Sequence, residues 1–191
     1  TDLQAFETTQ ITGFSVNAMK GLSISALLAL TDTQTDALTT AQIGALTSTA
    51  IGSLSTTEIQ GWDTTQIAAI SSKQLGGLTT TAFDSFSTTQ LADLTSTQVR
   101  GLTVAQLNNI STTALNALDI ADLSATQIKG MNATAVGNLS DTQVDAMSTA
   151  QIVALTATGL DALSSTEIQA WDTTQVASLT TAQLSRLTTT A

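Results

Sequence analysis

The stretch 54-LSTTEIQGWDTTQI-67 returns as 163-LSSTEIQAWDTTQV-176, with eleven of the fourteen letters unchanged. Each copy is itself double: an apolar residue, then Ser or Asp, then Glu or Gln three places on, then Ile or Val, repeated after eight residues. The same octad extends in both directions. From Phe6, fourteen octads follow in register to Ala117, the thirteen residues 118-LDIADLSATQIKG-130 break the count, and seven more run from Met131 to Arg186.

Position one is apolar in all twenty-one octads, usually Leu, with Phe6, Phe14, Phe86, Trp62 and Trp171 as aromatic versions. Position six is apolar in twenty, Thr35 being the exception, and position two is Ser, Thr, Asp or Asn in twenty, Glu7 being the exception. Position five is Gln or Glu in fourteen, and position eight is Gly, Ala or Ser in seventeen.

These preferences describe a helix start. Ser, Thr, Asp and Asn accept a hydrogen bond from an orphaned first-turn amide, and Gln or Glu three residues later closes a capping box. Ser55 with Glu58, Asp63 with Gln66 and Thr180 with Gln183 are such pairs. The apolar residue before the cap and the one four places into the helix form a hydrophobic staple, as for Leu54 with Ile59 and Trp62 with Ile67. Small residues at position eight, Gly13, Gly61, Gly77 and Gly101 among them, suit a left-handed turn or close packing where a short helix stops.

One continuous helix is excluded because eight residues span about 2.2 turns, so the leucines would wander around the axis. A β-solenoid conflicts with positions one, six and eight, which do not alternate with a period of two. The expectation is all-α: one very short capped helix per octad, wound into a narrow solenoid over residues 1–191 as a single array. Pieces this short are unstable alone, since helices under about twelve residues are marginal in water, so stability comes from stacking on neighbours. Positions one and six face a shared core, and positions three, four and seven face water.

The thirteen-residue segment equals two octads minus three residues, with Leu123, Ser124 and Ala125 shared between two readings. One helical turn within 118–130 is expected to be truncated, with a change of phase. Ala stands at position five in Ala18, Ala50, Ala82 and Ala114, 32 residues apart, as four octads per turn would produce.

A net charge of -10, with five scattered basic residues, repels phosphate backbones and anionic lipid and argues against nucleic-acid partners. No apolar run approaches a membrane span; "ISALLAL" at 24–30 is too short. The absence of His and Cys removes the usual general base, thiolate nucleophile and most transition-metal ligands, and leaves the redox compartment open. Met19, Met131 and Met147, the familiar haem ligands that remain, occupy apolar positions. The carboxylate pairs Glu58 with Asp63 and Glu167 with Asp172 have the chemistry of general acid and base, yet each member is also a capping residue. Asp119 and Asp122 offer two carboxylates, short of the six to eight oxygens that Ca²⁺ takes. No phosphate loop or dinucleotide fingerprint is present, and the glycosylation patterns at Asn109, Asn132 and Asn138 are what a Ser- and Thr-rich chain produces by chance. No residue is nominated as catalytic, cofactor-binding or metal-binding.

The unit L-[ST]-x-[TA]-Q-[IVL]-x-[AG] resembles octapeptide arrays in very large secreted or surface proteins of bacteria, often labelled as haem-utilisation or adhesion proteins. The resemblance covers essentially the whole chain and implies an extracellular or cell-surface, elongated, adhesin-like setting. The missing ligands give its haem half no support. The octad count starts at position four and stops at position five without a polar capping unit, as in a slice of a longer array or a subunit stacking end to end with its own copies. The expected function is a non-catalytic spacer, stalk or filament region without membrane insertion. The alternative is a binding module that meets polysaccharide, such as a cell-surface glycan, or ice through Thr at positions three and four; Val16, Ile24, Asp32, Val104 and Asp141 interrupt position three.

Overall fold

The octad dictates a helix that begins well and cannot continue. A computed structural model describes residues 2–187; Thr1 and residues 188–191, the two ends of the octad count, lie outside the described residues. Among the described residues there are 22 α-helices, two 3-10 helices and no strand. The α-helices run from four to seven residues, below what isolated helices sustain, so packing holds them. The chain divides into two units, residues 1–101 and 102–191.

The amino ends are closed as the sequence predicts. The Ser55 hydroxyl accepts from the Glu58 amide at 3.2 Å, and the Glu58 carboxylate accepts from the Ser55 amide at 2.7 Å. Asp63 with Gln66 and Thr180 with Gln183 make the same reciprocal pair. The carboxyl ends differ from one expectation. No described residue has a positive φ, so position eight is not a left-handed cap. The residue at position one instead donates its amide to the carbonyl three back, as Leu30 does to Leu27 and Leu78 to Leu75. Small residues there serve close approach: a Cβ on Gly101 would lie 2.8 Å from the Ser72 Cα, and one on Gly130 2.6 Å from a Val104 methyl.

Within each unit a helix packs on the third element after it. In the first unit Asp32–Asp36 meets Thr56–Gln60, Thr40–Ala45 meets Thr64–Ala68, and Ser48–Ile51 meets Ser72–Gly76, which in turn meets Ser96–Val99. In the second, Ala125–Gly130 meets Thr149–Ala154 and Ala133–Gly137 meets Ala157–Leu160. Helix-on-helix packing thus repeats every three octads, not the four that the alanine spacing pointed to.

Positions one and six form the core, as at Ile43, Ile51, Ile59, Trp62, Leu75 and Phe83. Position five joins the core as well, with twelve glutamines and Glu58 buried. Such a glutamine bonds in two directions. The Gln90 Oε1 accepts from the Ser87 amide at 3.0 Å, while its Nε2 donates to the carbonyls of Ile59 at 2.8 Å and Trp62 at 2.9 Å, 31 and 28 residues back. Gln42, Gln74, Gln98 and Gln183 repeat the pattern at the same separations. One side chain therefore starts its own helix and supplies donors to the last carbonyls of an earlier one, which helices otherwise leave unpaired.

The phase break is absorbed inside the second unit. The 3-10 helix Ile120–Asp122 replaces an α-turn, with Leu118, Ile120 and Leu123 all buried. Ile120 stands in for position six although it follows position one by two residues. The glutamine separations shorten by three across the break, to 28 and 25 for Gln143, and return to 31 and 28 at Gln151, whose acceptors are Ile120 and Leu123. Helix Val104–Leu107 still meets the third element after it, Ala125–Gly130. The three residues fewer in this segment leave the stacking order intact.

Replacing Gln90 by Ala removes three hydrogen bonds and is expected to cost about 2–3 kcal/mol at roughly 1 each. Gln90→Glu keeps the cap but sets a carboxylate against two carbonyls and should cost more at neutral pH. Urea denaturation of the three proteins checks this ranking, and a glutamate variant as stable as the parent would contradict the two-way role.

Candidate functional site

The carboxylate pairs that the sequence singles out serve as helix caps. Glu58 and Asp63, and likewise Glu167 and Asp172, accept first-turn or cap amides: the Ser164 amide donates to Glu167 and the Gln175 amide to Asp172 at 2.7 Å. The Asp119 Oδ1 caps its short helix by accepting from the Ala121 amide at 2.9 Å. Among the described residues no three acidic side chains converge as a metal site would require. Met19, Met131 and Met147 are buried in the core. The Asn132 Oδ1 accepts from the Ala135 amide at 2.8 Å, and the Asn109 amide nitrogen donates to the Ala105 carbonyl at 2.8 Å.

The two tryptophans explain why the quoted phrase is written twice. The Trp62 indole donates to the Thr35 carbonyl and the Trp171 indole to the Val144 carbonyl, both at 3.1 Å and 27 residues back. Those are position-six carbonyls that a glutamine would otherwise take. The following glutamine moves over by one residue: Gln66 donates to Asp36 and Leu38, Gln175 to Asp145 and Met147. The partner octads are duplicated as well, 30-LTDTQTDA-37 and 139-LSDTQVDA-146. A donor and its acceptor octad were copied together, and the contact they preserve is internal. Periodicity could not reveal it, because an indole N–H at a core position looks like bulk alone.

The copies differ at one buried atom. Thr35 has Val144 as its counterpart, and the Thr35 hydroxyl is the one buried side-chain polar atom among the described residues without a partner. Next to it, burial and then the charges of Asp32 and Glu58 push the Asp36 carboxyl above the usual carboxylate range. Its side chain lies against Gly61, where a Cβ would collide with it.

A groove of about 440 Å³ opens beside Leu160, Leu163, Ser165, Ile168, Gln169 and Leu187. Its charged group, Asp161, receives a hydrogen bond from the Arg186 Nε at 3.0 Å. That bond and the charge of Asp161 hold the guanidinium pKa above its ordinary value. The lining otherwise consists of the repeat's own core and surface positions.

A family model described as the ALTTAQ repeat matches residues 50–80, 67–104 and 159–189. Over these segments, less than half of the chain, the protein is similar to a family of repeat arrays. None of the curated proteins compared matches the chain.

Thr35→Val is expected to raise stability by about 1–2 kcal/mol, because it deletes an unsatisfied buried hydroxyl while keeping shape and leaves the backbone acceptor of Trp62 in place; equilibrium unfolding measures it. Asp36 gives a pH signature. The folded chain holds its proton more tightly than the unfolded chain, so the linked stability is full below the unfolded pKa and is lost as pH rises through the folded one. Asp36→Asn should therefore exceed the parent in stability at neutral pH, with the gap closing toward acid in thermal melts. A gap that widens toward acid would reverse the sign of this reading.

Proposed function

We propose that the chain is a non-catalytic structural spacer: a solenoid of octads, three to a turn, serving as a stalk or filament segment of a bacterial extracellular or cell-surface protein. On this reading residues 1–191 are one array, and its partners are neighbouring octads of the same kind. The observation that carries it is the glutamine at position five, which ties each turn to the one before and to nothing further away. Contacts of that range allow length to grow without a new core. The sequence reads the same way, since its repeated polar residues are helix caps and its repeated apolar ones are core. No described helix is long and apolar enough to cross a membrane.

One observation favours a second reading, a surface that meets polysaccharide or ice. Thr9, Thr33, Thr57 and Thr81 all stand at position four, all are exposed, and they recur every 24 residues, the packing repeat of the first unit. At position three the same column carries Asp32, which breaks the hydroxyl rank.

Small-angle scattering and sedimentation velocity on the 191-residue chain test the spacer. A compact domain of this length has a radius of gyration of about 16 Å. A clearly larger value with a raised frictional ratio is expected, and a compact sphere would refute the proposal. Glycan binding or inhibition of ice recrystallisation, lost in a Thr33→Glu, Thr57→Glu double variant, would move the assignment to the second reading.

A further inference from the structure

Along one stretch of the first unit the glutamine bonds are missing. The carbonyls of Phe14, Leu38, Leu46, Trp62 and Ile70 each receive a glutamine Nε2, at 2.7 to 3.0 Å. Those of Leu22, Leu30 and Leu54 receive no hydrogen bond from the chain, because the residues 28 places on are Ala50, Glu58 and Ala82. Ala50 and Glu58 stand in consecutive octads, 46–53 and 54–61. Residues 47–55 consequently make no hydrogen bond to any residue outside 46–61. The bonds that do leave the stretch lie at its edges: Gln74 donates to the Leu46 carbonyl, and at the far end Thr56 and Gln60 bond to Ser85 and Gln90 donates to the Ile59 carbonyl. Firm attachments flank it. Gln42 reaches Ile11 and Phe14 just before, and Trp62 and Gln66 reach Thr35, Asp36 and Leu38 just after. Between them, burial of Ala50, Ile51 and Leu54 holds the segment, and a groove of about 310 Å³ opens beside Leu46, Thr47 and Ser48.

We propose that residues 46–61 are a strap that detaches from the first unit as one piece while the octads on either side stay folded. Regions with few tertiary contacts open at a lower free energy than the rest of a fold, and this one is bounded on both sides by octads that are tied down. Its two helices, Ser48–Ile51 and Thr56–Gln60, are too short to persist once detached, so letting go unfolds them. Glu58 marks the strap most sharply. It is 6% exposed, as buried as the glutamines of other octads, and it makes their cap bond to its own helix, yet a carboxylate has no N–H for the carbonyls of Leu27 and Leu30, 31 and 28 residues back. The second unit repeats the arrangement, with Gly159 and Glu167 at position five of consecutive octads and Trp171 after them. On the spacer reading, on which this use of the strap rests, it is where a pulled array yields first. Sixteen residues drawn out span at most about 53–58 Å, a length gained without unfolding the neighbouring octads.

Native-state hydrogen exchange on the whole chain, read by mass spectrometry at neutral pH, tests the strap. Amides of 47–55 are expected to exchange at least about tenfold faster than those of 71–78, whose octad Gln74 ties back, two forgone bonds counting roughly a factor of five each. Glu58→Gln supplies the missing Nε2 and should slow exchange across the strap by about the same factor, with 71–78 unchanged. Glu58→Ala removes the charge without adding a donor and should bring no slowing. Circular dichroism checks that both variants fold. Exchange of the strap and its neighbours in one cooperative step, a Glu58→Gln chain that opens as readily as the parent, or a Glu58→Ala chain slowed as much as Glu58→Gln would overturn the inference. A compact particle in the scattering experiment would remove the use under load and leave the strap itself standing.

Discussion

The structure depends on the carboxamide of the position-five glutamine. Helices of four to seven residues leave unpaired amides at one end and unpaired carbonyls at the other, and packing apolar faces together would bury some of those groups at a cost. A glutamine carries an acceptor and two donors on one rigid plane. The oxygen satisfies the start of its own helix, and the nitrogen satisfies the end of a helix that lies 28 to 31 residues earlier. Glutamate at Glu58 and Glu167 keeps the first half of this arrangement only.

The same accounting explains the exceptions. Trp62 and Trp171 take a carbonyl with the indole nitrogen, and the next glutamine shifts to a neighbouring acceptor. Ile120, in the shortened turn, presents its carbonyl where position six normally does, and Gln151 reaches it at 2.6 Å. The array tolerates a changed residue or a missing stretch where the two apolar sites are still filled. Such a fold places its polar chemistry in capping.

Much of the fold was legible in the octad. The Ser55 and Asp63 caps, the burial of Leu54 and Ile59, and the truncated turn around Asp119 all follow from local rules acting over a few residues. The outward-facing hydroxyls at position four followed from the same register. The partners across turns were not legible. That Gln90 bonds to Ile59 and Trp62, or that Trp62 reaches Thr35, depends on how many octads complete a turn. The alanines at 18, 50, 82 and 114 did not reveal these partners, because alanine at position five forgoes the bond and so carries no information about its geometry.

By itself the sequence determined a chain of short, self-capped helices with two inward apolar sites per octad, since capping and amphipathic spacing are short-range and repeat with the letters. Only the tertiary structure decided the three-octad packing repeat, the second task of the buried glutamines and the misfit hydroxyl of Thr35. Those depend on which residues meet across roughly 24 to 31 positions, and that distance is set by the angle at which one turn leaves the next, a quantity that side-chain packing fixes and no local pattern encodes.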